Sequence, residues 1–151
     1  MSTPPYDLTI IGAGAAGLIA AGFAVQLGAR VALVDNHRIG GDCTWTGCVP
    51  SKALLKVAKV AHHVRSAAHY GIIAAAPVTD MDKVCDYLDA AIQQIYQPTT
   101  PEAMRLKGMD VYLGPTRFLD GSSIQTGEET IRSKHFLVAT GARPAIPAIN
   151  G

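Results

Sequence analysis

Residues 8–29 make a run of 22 positions without a single charge. How the chain disposes of that run decides what it can be, because its length alone would span a bilayer. Five of its residues are glycines, Gly12, Gly14, Gly17, Gly22 and Gly28, bunched early, where a strand would hand over to a helix. Residues 1–7 bring none of the positive charge that opens a secretory signal. A buried strand followed by an Ala/Gly-rich helix packed on a sheet produces the same uncharged run without any membrane. A cytoplasmic chain without a membrane span is therefore expected.

The run reads as a strand over 6–11 and a helix over 14–27 ended by Gly28. A second strand over 30–35, apolar on both faces, completes a βαβ unit. Between the first strand and the helix stands Gly12-Ala13-Gly14-Ala15-Ala16-Gly17, a GxGxxG pattern, and Asp35 closes the next strand 21 residues after Gly14. In that setting Gly12 permits the tight turn, Gly14 lets a pyrophosphate approach the backbone, and Gly17 lets helix and strand pack closely. The free amides at the start of the helix attract the phosphate charge. Asp35 would accept hydrogen bonds from a ribose hydroxyl. A dinucleotide is indicated without saying which, and a glycine-rich turn that binds nothing is the plainer alternative.

The remaining elements follow from periodicity. A long helix should start near Pro50 and run towards His69, with Ala53, Val57, Val60, Val64 and Ala68 as its apolar stripe. A further helix, capped near Thr79 or Asp80, carries Met81, Val84, Cys85, Leu88, Ile92 and Ile95 and stops before Pro98. Cys85 is expected to be a buried small hydrophobe on that stripe. A polar, irregular loop should lead to Met109. Strand runs at 111–113, around 117–118, at 123–126 and at 130–132 read as a meander, followed by a last buried strand at 136–139 that ends in Thr140-Gly141. The fold class is α/β: a Rossmann-like domain with a central parallel sheet, helices and a small antiparallel meander.

Composition narrows the function. With 151 residues, 48% of them apolar, the chain can bury a core and most simply makes one domain, which excludes disorder and coiled coil. Thirteen Lys and Arg against twelve Asp and Glu leave a net charge of +1, so no footprint for nucleic acid or an anionic membrane is present. Charged residues are 17% of the chain, below the roughly 25% usual in globular proteins. A larger assembly or a longer parent that covers apolar surface is expected.

Cys43 and Cys48, with four residues between them and no secretory signal before them, read as catalytic or metal-binding rather than structural. Zinc would need two further ligands that no second pair supplies, so no metal site is expected. Cys48 falls at a helix N-terminus, where the dipole and free amides favour a thiolate, and Lys52 one turn later adds positive charge. That suits dithiol–disulfide exchange; local packing of two unrelated small residues is the alternative. His37, His62, His63, His69 and His135 lack a partner pattern and read as surface or capping residues. For Trp45, packing over the cysteines and an ordinary packing role are equally open.

Three stretches, the GxGxxG unit, the run from Gly40 to Lys52 (Gly-Gly-Asp-Cys-Thr-Trp-Thr-Gly-Cys-Val-Pro-Ser-Lys), and Ala139-Thr-Gly-Ala-Arg-Pro144, together resemble the pyridine nucleotide-disulfide oxidoreductases, in the branch of mercuric reductase and dihydrolipoamide dehydrogenase. The resemblance implies an FAD-containing homodimer. It passes electrons from NAD(P)H through the flavin to a redox disulfide, then to a small-molecule disulfide, quinone or Hg(II)-type substrate. It further implies Cys43 as the interchange thiol, Cys48 as the thiol beside the flavin, and Lys52 near the flavin N5. Gly12, Gly14, Ala15, Ala16, Gly17 and Asp35 would hold the ADP half of FAD. Gly41, Asp42, Gly47, Thr140 and Gly141, with Lys52, would line the rest, and the backbone near Thr116 would meet the adenine.

The sequence departs from that pattern at Trp45, where an Asn is usual, and at Asp42, where a Thr is common. A carboxylate near a pyrophosphate is repelled unless hydrogen bonding turns it away. Ser51 in Val49-Pro-Ser-Lys52 leans towards the lipoamide and mercuric branch. The resemblance implies a parent that continues with an NAD(P)H-binding domain and a dimerisation domain bearing a His-Glu pair. No second GxGxxG follows within residues 1–151, which are expected to form the FAD-binding domain alone. A non-catalytic nucleotide-binding or thiol-carrier module is the competing function.

Overall fold

The uncharged run resolves into a strand, a turn and a helix. The computed structural model describes residues 4–143 and 145–149. In it Tyr6–Ile11 is strand β1, Ala15–Gln26 helix α1 and Val31–Asp35 strand β2. Among the described residues no helix is long and apolar enough to cross a membrane. Residues 1–3, Pro144 of the third motif and the final Asn150-Gly151 lie outside the described residues.

Contacts divide the chain into two compact units, one running to Arg38 and resuming at Lys107, the other Ile39–Leu106. The first unit is built on one sheet. With β3 (Met109–Leu113), β4 (Thr116–Asp120), β5 (Ser123–Thr126) and β6 (Glu129–Val138), its order is β3-β2-β1-β6-β5-β4. β3, β2, β1 and β6 run parallel, and β6, β5 and β4 form the antiparallel meander. β2 sits between two parallel neighbours and buries four consecutive residues, Val31 to Val34, which is why its sequence is apolar without alternation. Ile10 and Leu33, paired in register, are fully buried.

β3 does not belong to the meander; it closes the opposite edge, parallel to β2. The expected runs at 130–132 and 136–139 are a single strand, β6. Its first half pairs antiparallel with β5 (Ile124 opposite Ile131) and its second half parallel with β1 (Tyr6 opposite Ser133, Ile11 opposite Val138). The polar stretch from Ser133 to His135 is where the strand changes partner, so polarity there marks a handover and not a break. The end of β6 is not buried either, since Val138 is 61% exposed. Lys134 Nζ lies 2.7 Å from Asp7 Oδ1 and ties β6 to β1. At the amino ends of the strands the Tyr6 hydroxyl donates to Asp110 Oδ2 (2.7 Å) and meets the Tyr112 hydroxyl (2.7 Å), reaching across Ala32 of β2. Burial, then the bond to Tyr112, pushes the Tyr6 phenol above its usual range.

The second unit is helical: α2 (Gly41–Trp45), α3 (Cys48–Ser66), a 3₁₀ turn (Ala67–Tyr70), α4 (Met81–Tyr96), a 3₁₀ turn (Gln97–Thr99) and α5 (Pro101–Leu106). α3 starts two residues before Pro50 and tightens into the 3₁₀ turn over the stretch expected to end it. α4 is capped by Asp80, whose Oδ1 accepts from Lys83 N at 3.3 Å. Its buried residues are Val84 and Ile92, with half-buried Leu88 between them on a narrow i, i+4, i+8 seam. Cys85 is exposed, contrary to expectation, because it stands about 100° round the helix from that seam. α5 replaces the expected irregular loop: Thr100 Oγ1 accepts from Ala103 N (3.2 Å), Pro101 opens the first turn, and Glu102 and Arg105 sit at the ends that suit their charges.

In the turn joining β4 to β5, Asp120 Oδ1 accepts from Ser122 N (2.7 Å) and Ser122 Oγ (2.9 Å). The Ser123 side chain, then the Ser122 amide, hold its carboxyl down at about 2. A carboxyl depressed in the folded state stabilises fully above its unfolded value near pH 4 and loses that effect as pH falls through about 2. Asp120→Asn is expected to flatten the acid limb of stability in that window, read as urea midpoints across pH.

Candidate functional site

The carboxyl ends of the parallel strands open onto a cleft of about 600 Å³ in the first unit, the place where open α/β sheets take ligands. Its floor is made by Gly12, which leaves β1 with φ +107°, a conformation that favours glycine. A Cβ there would overlap the Ala139 carbonyl oxygen beyond β6, and a Cβ on Gly17 would overlap the carbonyl oxygen of Gly12. The first contact fits turn and last strand together, and the second lets α1 lie against the turn. Gly12 N donates to Val34 O (2.7 Å) and Ala139 N to Ile11 O (2.8 Å), so the ends of β1, β2 and β6 meet.

α1 begins at Ala15 with extended Gly14 as its cap, without a capping side chain and without an acid in its first turn. The amides of Ala15, Ala16 and Gly17 therefore have no intrahelical acceptor and form a positive end. Asp35, half-buried at the end of β2, accepts from Ala13 N at Oδ2 (2.7 Å) and from His37 N at Oδ1 (3.0 Å). Each carboxylate oxygen keeps a further lone pair for a hydroxyl donor. Thr116 opens β4, its Oγ1 3.1 Å from both Gly114 O and Thr126 Oγ1.

Of the residues expected at a nucleotide, Gly12, Asp35, Thr116, Thr140 and Gly141 line this cleft together, while Gly14, Ala15, Ala16 and Gly17 form the helix start beyond its lining. Asn36, Pro115 and Arg143 line it as well and were not anticipated as site residues. Asn36 could have been read from its place after Asp35, and Arg143 from its place in the third motif.

In the second unit Cys43 of α2 and Cys48, the first residue of α3, are joined as a disulfide with their Cα atoms 4.6 Å apart. The turn between the helices is held by Asp42 O, which accepts from Gly47 N (2.6 Å) and Thr46 N (3.0 Å). Gly47 caps α3 without a side chain, and no acid stands in the first turn, so Cys48 sits at an uncompensated positive helix end. Lys52 is exposed one turn later, and Gly41 opens α2. Trp45 packs its ring on Tyr96 and donates Nε1–H to Ile39 O (2.9 Å). Among the described residues no group of three His, Cys, Asp or Glu could hold a metal ion.

The family model of the pyridine nucleotide-disulphide oxidoreductases matches residues 6–151. The chain belongs to that family. It is 36% identical over 97% of its length to a mercuric reductase of Staphylococcus aureus, of which it spans 27%. It is 34% identical over 97% to a dihydrolipoyl dehydrogenase of Acholeplasma laidlawii (44% of that protein) and 37% over 92% to one of Thermus scotoductus (30%). The chain thus spans between about a quarter and somewhat under half the length of these relatives. FAD is the cofactor this family binds, and the cleft fits its nucleotide end: a floor that a Cβ would fill, free helix amides for phosphate, and a carboxylate with acceptor capacity.

Gly12→Ala is expected to abolish binding of an adenine dinucleotide and to destabilise the fold by at least about 1 kcal/mol, measured by calorimetric titration and urea unfolding. Asp35→Asn cannot accept from both amides with its nitrogen side, and about tenfold weaker nucleotide binding is expected in the same titration.

Proposed function

We propose that this chain is the FAD-binding portion of a cytoplasmic flavoprotein disulfide oxidoreductase, residues 1–151 forming one functional domain. Electrons would pass from NAD(P)H through FAD to the Cys43–Cys48 pair and on to a small-molecule disulfide or an Hg(II)-type substrate. The observation that carries the reading is the disulfide itself, closed between α2 and the uncompensated N-terminus of α3.

FAD, when bound, supplies a two-electron carrier between nicotinamide and disulfide. Every other part falls to the chain. Gly12, Gly14, Ala15, Ala16, Gly17 and Asp35 would bind the ADP portion, the backbone near Thr116 would meet the adenine, and Thr140 and Gly141 would line the rest. Gly41, Asp42, Gly47 and Lys52 are the further residues that the family resemblance would assign to the cofactor. Two electrons and two protons break the Cys43–Cys48 bond into two thiols. The α3 N-terminus then holds Cys48 as a thiolate, and the Lys52 charge adds to that field. Cys43 attacks one sulfur of a substrate disulfide and expels the first substrate thiol; Cys48 attacks the mixed disulfide, expels the second, and restores the Cys43–Cys48 bond. The NAD(P)H site and a homodimeric assembly belong to a parent of the relatives' length. Small molecules, and neither nucleic acid nor membrane, are its proposed partners, in keeping with a net charge of +1.

The test is FAD titration of the purified chain followed by stepwise dithionite reduction under visible absorbance. Bound flavin and the uptake of two electron pairs, one for the flavin and one for the disulfide, are expected. Cys48→Ser should take up one pair only. Absence of bound flavin, or one pair in the unaltered protein, overturns the reading.

A further inference from the structure

Reduction of the Cys43–Cys48 bond removes the side-chain tie between α2 and α3, yet the thiols must stay within reach for the pair to close again. The turn bonds to Asp42 O shape the backbone between them. A second restraint lies in the same unit. Trp45, the last residue of α2, is pinned through Nε1–H to Ile39 O (2.9 Å), and its ring packs on Tyr96 with centroids 4.8 Å apart and planes tilted by 55°. Tyr96 ends α4. α4 packs on α3, and α3 begins with Cys48. The stack therefore closes a circuit from Cys43 through α2, Trp45, Tyr96 and α4 back to Cys48.

We propose that Tyr96, acting through Trp45, is a positioning residue that keeps the Cys43 and Cys48 thiols within bonding reach after reduction and so sets the redox equilibrium of the pair. The inference rests on reading the two cysteines as a redox couple. The equilibrium for closing a dithiol rises with the effective concentration of one thiol at the other. A ring stack that favours the closed geometry raises that concentration by up to about tenfold, the size of an aromatic pair's contribution. The Tyr96 hydroxyl plays no part in the stack, and Thr99 Oγ1 bonds to the Tyr96 backbone carbonyl, so neither is needed for the effect.

The test equilibrates the purified full chain with graded ratios of reduced to oxidised dithiothreitol, whose two thiols become a cyclic disulfide as the protein bond becomes two thiols. Acid quenching, alkylation and intact mass then count free thiols; exposed Cys85 is alkylated in every state and serves as the internal count. Tyr96→Leu is expected to move the equilibrium about three- to tenfold towards the dithiol, with Tyr96→Phe within twofold of the unaltered protein. Tyr96→Leu unchanged, or Tyr96→Phe shifted as far as Tyr96→Leu, overturns the inference. If Tyr96→Leu does not fold, Tyr96→Met, which keeps side-chain volume against Trp45 and removes the ring, is read instead; a shift of about threefold or more supports the inference and no shift overturns it. A pair in the unaltered protein that closes at no ratio overturns the redox reading itself.

Discussion

Between the turn after β1 and the end of β6 there is no room for a side chain, and the cleft at the strand ends depends on that. Gly12 faces the Ala139 carbonyl where a Cβ would overlap it, and main-chain bonds from Gly12 to Val34 and from Ala139 to Ile11 draw three strand ends level. With the strands level, Asp35 reaches the Ala13 amide, and Thr140 and Gly141 come to stand across from it on the cleft wall. One missing methyl group thus sets where a carboxylate and a strand end line the same cleft.

Much of the first unit was legible because its signals are local. A charge-free strand, three closely spaced glycines and an acid closing the next strand lie within one βαβ unit, so the pattern is visible in sequence even though the contact that requires Gly12, with Ala139, is distant. The failures are non-local. Ser133 to His135 looked like a gap because polarity was read without the second partner that β6 meets there. The 111–113 run looked like part of the meander because adjacency in sequence stood in for adjacency in the sheet. Cys85 shared the apolar spacing of α4, but that helix packs chiefly on α3 and buries only a narrow seam. α5 had its cap, its Pro and its charges in view, yet six residues carry too little periodicity to stand out.

In the second unit the spacing of Cys43 and Cys48 left catalysis, metal binding and plain packing open, and the pairing came from the resemblance of the surrounding motif. The geometry adds what spacing could not contain. α2 and α3 meet at a turn held by one carbonyl, Asp42 O, and the thiol placed on the positive helix end is Cys48 and not Cys43. Two sulfurs of identical chemistry thereby acquire different electrostatic surroundings, which is the asymmetry an exchange reaction needs. Trp45 stands where the family pattern has a small amide, and its stack on Tyr96 connects residues that no local pattern relates.

The pairing of β6 with β1 joins Tyr6 to Ser133 across 127 residues of chain. During synthesis β1, α1 and β2 can associate early, whereas the wall formed by Thr140 and Gly141 waits for the final strand, which must close the longest loop in the sheet. On loop length, closure of the cleft is expected late in the assembly of the unit. Gly12 and Thr140 line that cleft together, so a nucleotide held there as proposed would bridge the two ends of that closure and add its affinity to the cohesion of first and last strands. Loading with the proposed cofactor would then double as a late step of folding.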